Sequence, residues 1–589
     1  MISKGKKCKI LVLMLSLIYW SIFLLKSDAY YIPYLVIEIS FCIAFFLNYK
    51  RKKDRGNLLS GIFAAFFTLM VTLSNYSLFT NIIFPASLGI VSRKIIILIS
   101  IVFFLISGYF IFREILINLK NFLKNREEKV NNFYNMQFNI QAWQVFCGSF
   151  LIMILVNSTI MYFSQYPGEL SVDSIDQIQQ FLTKNYTNHH SYYHTQLIHI
   201  LIAIGYKITG NMNGAVAIYS EISIIIMGLV FSYILYTLYQ MGCSIKVIAV
   251  CFLWYLMMPF HITYSFTMWK DVFFAGAVCA FIVSSYRIFD NIGKNSKINY
   301  AIMIIAAFGI NLLRNNGTIV FLLSTLIFAL LFFRKYKKIF CMFVCVLIFS
   351  FILNNPIQNM LNVKPADGMV SLSIPVQQIG RVVADKKELT TEQEQVISEV
   401  ITLKELREKY VNYIADPVME QIRRNGTQNY ISQNKIDFMK IYIQIGLKYP
   451  KEYIKAWVDQ TKGYWNAGYD YWVWQDSVQE NSIGIKRVIK SNIINNIFQR
   501  YLQLYKYNSI LHIFLCIGFH VWLLLFAIYS CLVKRNKEAL FITIPMLMIV
   551  FSLLVATPVY SEFRYVYALF CSMPFILNSS VRCNQVISD

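Results

Sequence analysis

The chain has 589 residues, of which 57% are hydrophobic, 16% aromatic and only 14% charged, with a mean hydropathy of +0.51; this excludes an ordinary soluble domain. Its formal net charge of +23 lies mostly in short Lys/Arg runs between apolar segments, which is the positive-inside pattern and not a nucleic-acid-binding face. The 12 cysteines are scattered, with no CxxC pair and no Cys/His metal spacing, and read as small apolar residues.

A span needs about twenty residues to cross the hydrocarbon, and the apolar runs predict about fourteen helices. They are 10–25, 31–48, 58–79, 95–112, 143–163, 214–239, 246–260, 271–288, 299–313, 317–333, 338–354, 509–532, 540–556 and 564–578. The first follows Lys4, Lys6, Lys7 and Lys9 and has no small-residue cleavage site after it, so it reads as a retained anchor. Basic clusters at 49–55, 113–129, 293–297, 334–338 and 534–537 mark one side as cytoplasmic, with Arg93 and Lys94 as the exception. Both termini then lie on the cytoplasmic side of a cell membrane, and 355–508 lies outside it. The expected fold is an all-α polytopic membrane protein in four parts. These are an N-terminal four-helix membrane region (1–142), a membrane core with an outer loop at 164–213 (143–354), an extracytoplasmic helical domain (355–508) and C-terminal membrane helices (509–589).

Within 355–508, TTEQEQVISEVITLKELREKY (390–410) predicts one helix with a Thr cap. A second helix covers 434–447, and a third follows Tyr449-Pro450, since Pro suits a first turn. GYWNAGYDYWVWQ (463–475) has the Trp and Tyr density of a membrane interface or a sugar-stacking surface.

Four stretches on the outer side carry ionisable residues that are not topology markers. YPGELSVDSIDQIQQ (166–180) holds Glu169, Asp173 and Asp176, and helical spacing puts Asp173, Asp176 and Gln180 on one face of a short surface helix. Three of the 7 histidines, His189, His190 and His194, follow just before TQLIHILIAIGYKI (195–208). That run is short and contains His199 and Lys207, so it reads as a re-entrant or interfacial helix and not a span. WKD (269–271) places Lys270 and Asp271 at the mouth of a span. RNNG (314–317) interrupts an apolar hairpin with Arg314, and a charge at that depth usually faces a cavity or an anion. SEFRY (561–565) places Glu562 and Arg564 at the mouth of the last helix.

Each stretch has a plain reading: solvated loop carboxylates, a snorkelling Lys-Asp pair, a structural Glu-Arg pair. Together, carboxylates and guanidinium groups at one depth describe a site for an anionic amphiphile, because Arg grips phosphate with planar, multi-donor geometry. His190, His194, Lys270, Asp271, Arg314, Glu562 and Arg564 are the candidate binding residues. No tight ligand spacing demands a metal; a divalent ion would bind through Asp173 with a neighbouring His or Asp.

The P-G-x-x-S-x-D-S pattern (167–174), the His-rich loop, WKD, RNNG, the terminal E-x-R-Y, LSIPVQQIGRVV (372–383) and YPKEYIKAWVDQTKGYW (449–465) together resemble a group of bacterial multi-spanning proteins related to the GT-C glycosyltransferases. The resemblance covers roughly 166–567 and implies a GT-C-like bundle. It also implies transfer of a sugar from a polyprenyl-phosphate carrier to a cell-envelope glycan or protein acceptor on the outer face. An acidic residue of the first large outer loop would act as general base or metal contact, a role that falls on Asp173 with Asp176 as runner-up. The family's acidic pair is typically adjacent, whereas here Ser174 and Ile175 intervene; where relatives read His-Pro, this chain reads His190-Ser191. The chemistry agrees with the residue types: the carrier phosphate leaves as an anion that Arg314, Arg564 or Lys270 can stabilise, and a carboxylate can deprotonate the acceptor. The alternatives are a transporter or flippase of lipid-linked glycans, a polymerase or ligase, and a scaffold that binds cell-wall polymer. Transport is disfavoured because the charges gather at one face and no repeated halves are evident.

Overall fold

The computed structural model of the chain describes residues 4–50, 58–80, 89–133, 140–292, 296–366 and 368–582. Among them every regular element is helical, and extended segments meet only as isolated bridges. Apolar sequence of this kind has little choice, since a helix satisfies its own backbone without help from solvent.

Seven described helices are long and apolar enough to cross a membrane: Ile90–Lys124, Ala142–Phe163, Met212–Gln240, Lys270–Phe289, Lys337–Met360, Ile517–Lys534 and Lys537–Val555. An eighth is counted if Ile245–Met257 and Pro259–Ser265, bent by 57°, form one broken span. The break is chemical: Pro259 has no N–H to continue the ladder, and Met258 before it is extended. Of the fourteen spans expected from the sequence, seven, or eight with the bent pair, meet this length and apolarity. The other predicted spans fall on shorter apolar helices, including Met14–Leu24, Ile32–Phe45, Leu58–Ser74, Lys297–Leu313 and Gly317–Phe332, and on the final helix Tyr567–Val581. The expected boundaries at 299–313 and 317–333 lie within three residues of the helices Ser296–Leu313 and Gly317–Phe332. Conversely, the helix predicted at 95–112 runs over Ile90–Phe133, since the Lys, Arg and Glu residues after 112 are good helix formers that leave lipid without ending the helix. Residues 51–55 and 293–295 of the basic clusters lie outside the described residues.

The segment 355–508 has its own core, in which Val376, Ile379, Val418, Ile422, Ile441 and Ile445 pack together. Two of its predicted helices are present as Lys435–Lys448 and Pro450–Trp465, the latter with Pro in its first turn. The helix expected across 390–410 is split in two. Thr390 and Gln393 form a capping box for Thr391–Ser398, and Thr402 and Glu405 form a second box that starts Leu403–Lys409. A new cap forces a new start.

This segment is stitched onto the chain just before the last helix. Trp457 Nε1 donates to the Leu554 carbonyl at 2.8 Å and Gln460 Nε2 to the Thr557 carbonyl at 2.6 Å. Backbone bonds run from Ala415 N to Pro558 O at 2.7 Å and from Tyr560 N to Tyr413 O at 3.1 Å. The aromatic stretch 463–475 mostly turns inward: Trp465, Tyr469 and Val473 are buried, and only Tyr471 and Trp472 are well exposed.

Candidate functional site

The stretch 166–180 folds as a loop followed by the amphipathic helix Val172–Thr183, started by a Ser171/Ser174 capping box. Ser174, Ile175, Gln177, Ile178 and Gln180 form its buried face, which leaves Asp173 and Asp176 half-buried on another side. Asp173 lies in the first turn, where the helix dipole favours a negative charge. The loop is laid beside the segment preceding WKD: Glu169 N bonds to Phe266 O at 3.1 Å and Met268 N to Glu169 O at 3.0 Å. Side chains continue the seam, with Ser174 Oγ on the Met268 carbonyl and Trp269 Nε1 on Ser171 Oγ, each at 2.8 Å.

Gly168 makes this seam geometrically feasible. Its φ is +125°, and a Cβ there would lie 2.1 Å from Ser220 Oγ and 2.8 Å from the Phe266 carbonyl. Gly168→Ala is expected to lift the loop off the core and cost about 1–3 kcal/mol, read as a lower thermal unfolding midpoint of the purified protein.

Once the loop is seated, residues from all four stretches meet. Arg564 Nη1 lies 2.7 Å from Asp173 Oδ2, and Arg564 Nε lies 3.2 Å from Glu562 Oε1. Arg564 also lies over the Trp269 ring at 5.4 Å. Arg314 Nη1 lies 3.1 Å from Asp271 Oδ1, donates to the Tyr565 carbonyl at 2.9 Å and sits over the Tyr565 ring at 4.6 Å. Lys270 Nζ donates to His190 Nδ1 at 3.0 Å, and His190 Nε2 lies 3.7 Å from Asp176 Oδ2. The network therefore sets three cations, Lys270, Arg314 and Arg564, against four carboxylates, Asp173, Asp176, Asp271 and Glu562.

The carboxylates do not share one state. Burial alone would raise Asp173, but Arg564, with Lys270 behind it, outweighs burial and holds this carboxyl well below the usual range. Burial pushes Glu562 the other way, up to about 7, with Arg564 opposing and Asp271, Asp416 and Asp173 adding to the rise. A carboxylate that stays ionised thus lies across one guanidinium from a carboxyl that exchanges its proton near neutrality. His190 is lowered to about 2, by burial first and Lys270 second, and so stays neutral.

Not every predicted site residue joins the network. His194 is buried in the core, with Nδ1 3.1 Å from Gln177 Nε2 and Nε2 3.1 Å from the Tyr219 hydroxyl, and its role is to pin the helix Tyr192–Thr209 to Val172–Thr183. Glu169 is fully buried and faces Arg487 at 3.5 Å, which clamps the loop to the strap 474–490. Arg314 is itself buried. Arg314→Ala would leave Asp271 as an unpaired buried charge, at an expected cost of about 3–5 kcal/mol; thermal unfolding measures it, and an unchanged midpoint would count against a structural pair.

The sequence reading missed Asp416, Tyr464 and Arg487. Asp416 lies near Glu562 and Arg564 and is raised by burial, and the Tyr464 hydroxyl accepts the Glu562 backbone N–H at 3.0 Å. Nothing in the spacing of 355–508 distinguishes these residues from their polar neighbours. Among the described residues no group of three or more His, Cys, Asp or Glu side chains gathers as metal ligands. Asp173, the residue through which a divalent ion would bind, is held by a guanidinium instead.

Residues 182–585 match DUF6020, described as a family of unknown function. The chain belongs to DUF6020. The matched region contains His190, Lys270, Asp271, Arg314, Glu562 and Arg564, whereas Asp173 and Asp176 lie just before it. No curated protein and no solved structure matches the chain.

Proposed function

We propose that this DUF6020 protein is a membrane glycosyltransferase with a GT-C-like bundle. It would transfer a sugar from a polyprenyl-phosphate-linked donor to a cell-envelope acceptor on the outer face, with both termini cytoplasmic. One observation carries the reading: Asp173, Arg564 and Glu562, separated by nearly the whole membrane core, form a single contact chain beside Lys270. Partly exposed cations next to carboxylates of opposite proton affinity suit a reaction that expels a phosphate while taking up a proton.

In this reading the acceptor hydroxyl attacks the anomeric carbon as the bond from that carbon to the carrier phosphate breaks. The hydroxyl proton passes to a carboxylate, and the phosphate leaves with both bonding electrons. Lys270 and Arg564 balance its charge, since both remain partly open while Arg314 is enclosed. The sequence reading gave the proton to Asp173; the opposite shifts of the two carboxylates favour Glu562. Asp173, ionised throughout, then orients Arg564 and the acceptor. A polymerase or ligase on the same face would use the same steps with a larger acceptor.

Protein in nanodiscs, given a labelled polyprenyl-phosphate sugar and cell-envelope glycan, is expected to release polyprenyl phosphate and to label the glycan. Movement of labelled carrier between leaflets with the acceptor unchanged would refute transfer and favour a flippase.

A further inference from the structure

A groove of about 610 Å³ has Tyr560 in its wall. Its walls come from distant parts of the chain and include Asp28, Tyr30, Tyr469, Asp470, His512 and Tyr560. Tyr30 N bonds to Gly468 O at 2.6 Å. Gly468 has φ +94°, and a Cβ there would lie 2.5 Å from the Tyr30 carbonyl, so glycine is what lets these two walls close on each other. The Tyr30 and His512 rings meet edge to face with centroids 4.9 Å apart. His512 Nε2 lies 3.1 Å from Asp470 Oδ2, and the Tyr560 hydroxyl donates to the Asp470 carbonyl. Tyr471 packs on Tyr560 at 5.8 Å, two residues before Glu562.

We infer that this groove binds a hexopyranose ring of a glycan. Tyrosine rings offer flat faces for the C–H surface of a sugar, and the carboxylates of Asp28 and Asp470 accept hydrogen bonds from sugar hydroxyls. The volume lies in the range of small-ligand sites, and polar groups converge in it. A lipid tail is a poor occupant because Asp28, Asp470 and His512 stand in the wall. A cation is a poor occupant because His512 already faces Asp470. The site goes beyond the transfer reading: Asp28 and Tyr30 lie outside the family match, and the groove gives the N-terminal helices a part in recognition.

The test reads binding alone, so it stands or falls apart from the transfer assay. Full-length protein in lipid nanodiscs is examined by saturation-transfer NMR with oligosaccharides of glucose, galactose, mannose and N-acetylglucosamine. Saturable binding of at least one is expected, weakened about ten-fold by Tyr30→Ala. Asp28→Asn, at an exposed position that the fold does not need, is expected to weaken it several-fold and keeps the test decisive if Tyr30→Ala fails to fold. Stacking is common to all hexopyranoses, so silence across the set overturns the inference. Binding unchanged in Asp28→Asn, or displacement by tetramethylammonium in place of free sugar, also overturns it.

Discussion

Glu562→Gln is expected to lower the transfer rate about 10²–10⁴-fold, the contribution of a positioned proton acceptor, with little change in expression or unfolding midpoint. The pH profile makes the result specific. With the carboxyl raised to about 7, the proton-accepting form is scarce below that pH and dominant above it. The rate of the unaltered protein should therefore climb through neutrality and level off on the alkaline side. The Gln variant has no such carboxyl and should lose that limb. If the limb survives in Glu562→Gln, another group takes the proton and the assignment fails.

Asp173→Asn is expected to cut transfer about 10²–10³-fold, the usual effect of losing one oriented electrostatic contact, for a different reason and with a different signature. Asn keeps the shape of the side chain but removes the charge that holds Arg564 at 2.7 Å. Glu562 then loses a negative neighbour that raises it and keeps a guanidinium that lowers it, so its pKa must fall. The residual activity should show its pH limb displaced toward acid, not abolished. Full activity in Asp173→Asn, or a limb left in place, would separate Asp173 from the reaction and leave the pair with Arg564 as scaffolding.

How much of this the sequence disclosed depended on the distance over which each feature is encoded. The helical class, the capped start at Thr390 and the proline start at Pro450 are local and readable. The second cap at Thr402 was equally local, a Thr followed three residues later by Glu405, but the apolar periodicity of 390–410 masked it. Arg314 was conspicuous as a cation inside an apolar hairpin, although its partner Asp271 could be found only through the fold. A buried histidine and a ligand-facing one look alike in sequence, and only the fold places His194 between Gln177 and Tyr219. The pairing of Asp173 with Arg564 crosses 391 positions, and no period or motif spans such a gap. The contrast between Asp173 and Glu562 was invisible for the same reason, since burial and neighbouring charge, not residue type, set proton affinity.

The backbone of the segment carrying Glu562 and Arg564 is fastened by 413–415 and by Tyr464, while its side chains reach back to Asp173 and Trp269. During synthesis Asp173 therefore waits without its guanidinium partner until nearly every later residue has left the ribosome. A truncated product ending before Arg564 would keep the Arg314–Asp271 and Arg487–Glu169 pairs but leave Asp173 without its guanidinium, so incomplete copies would be electrostatically distinct from finished ones.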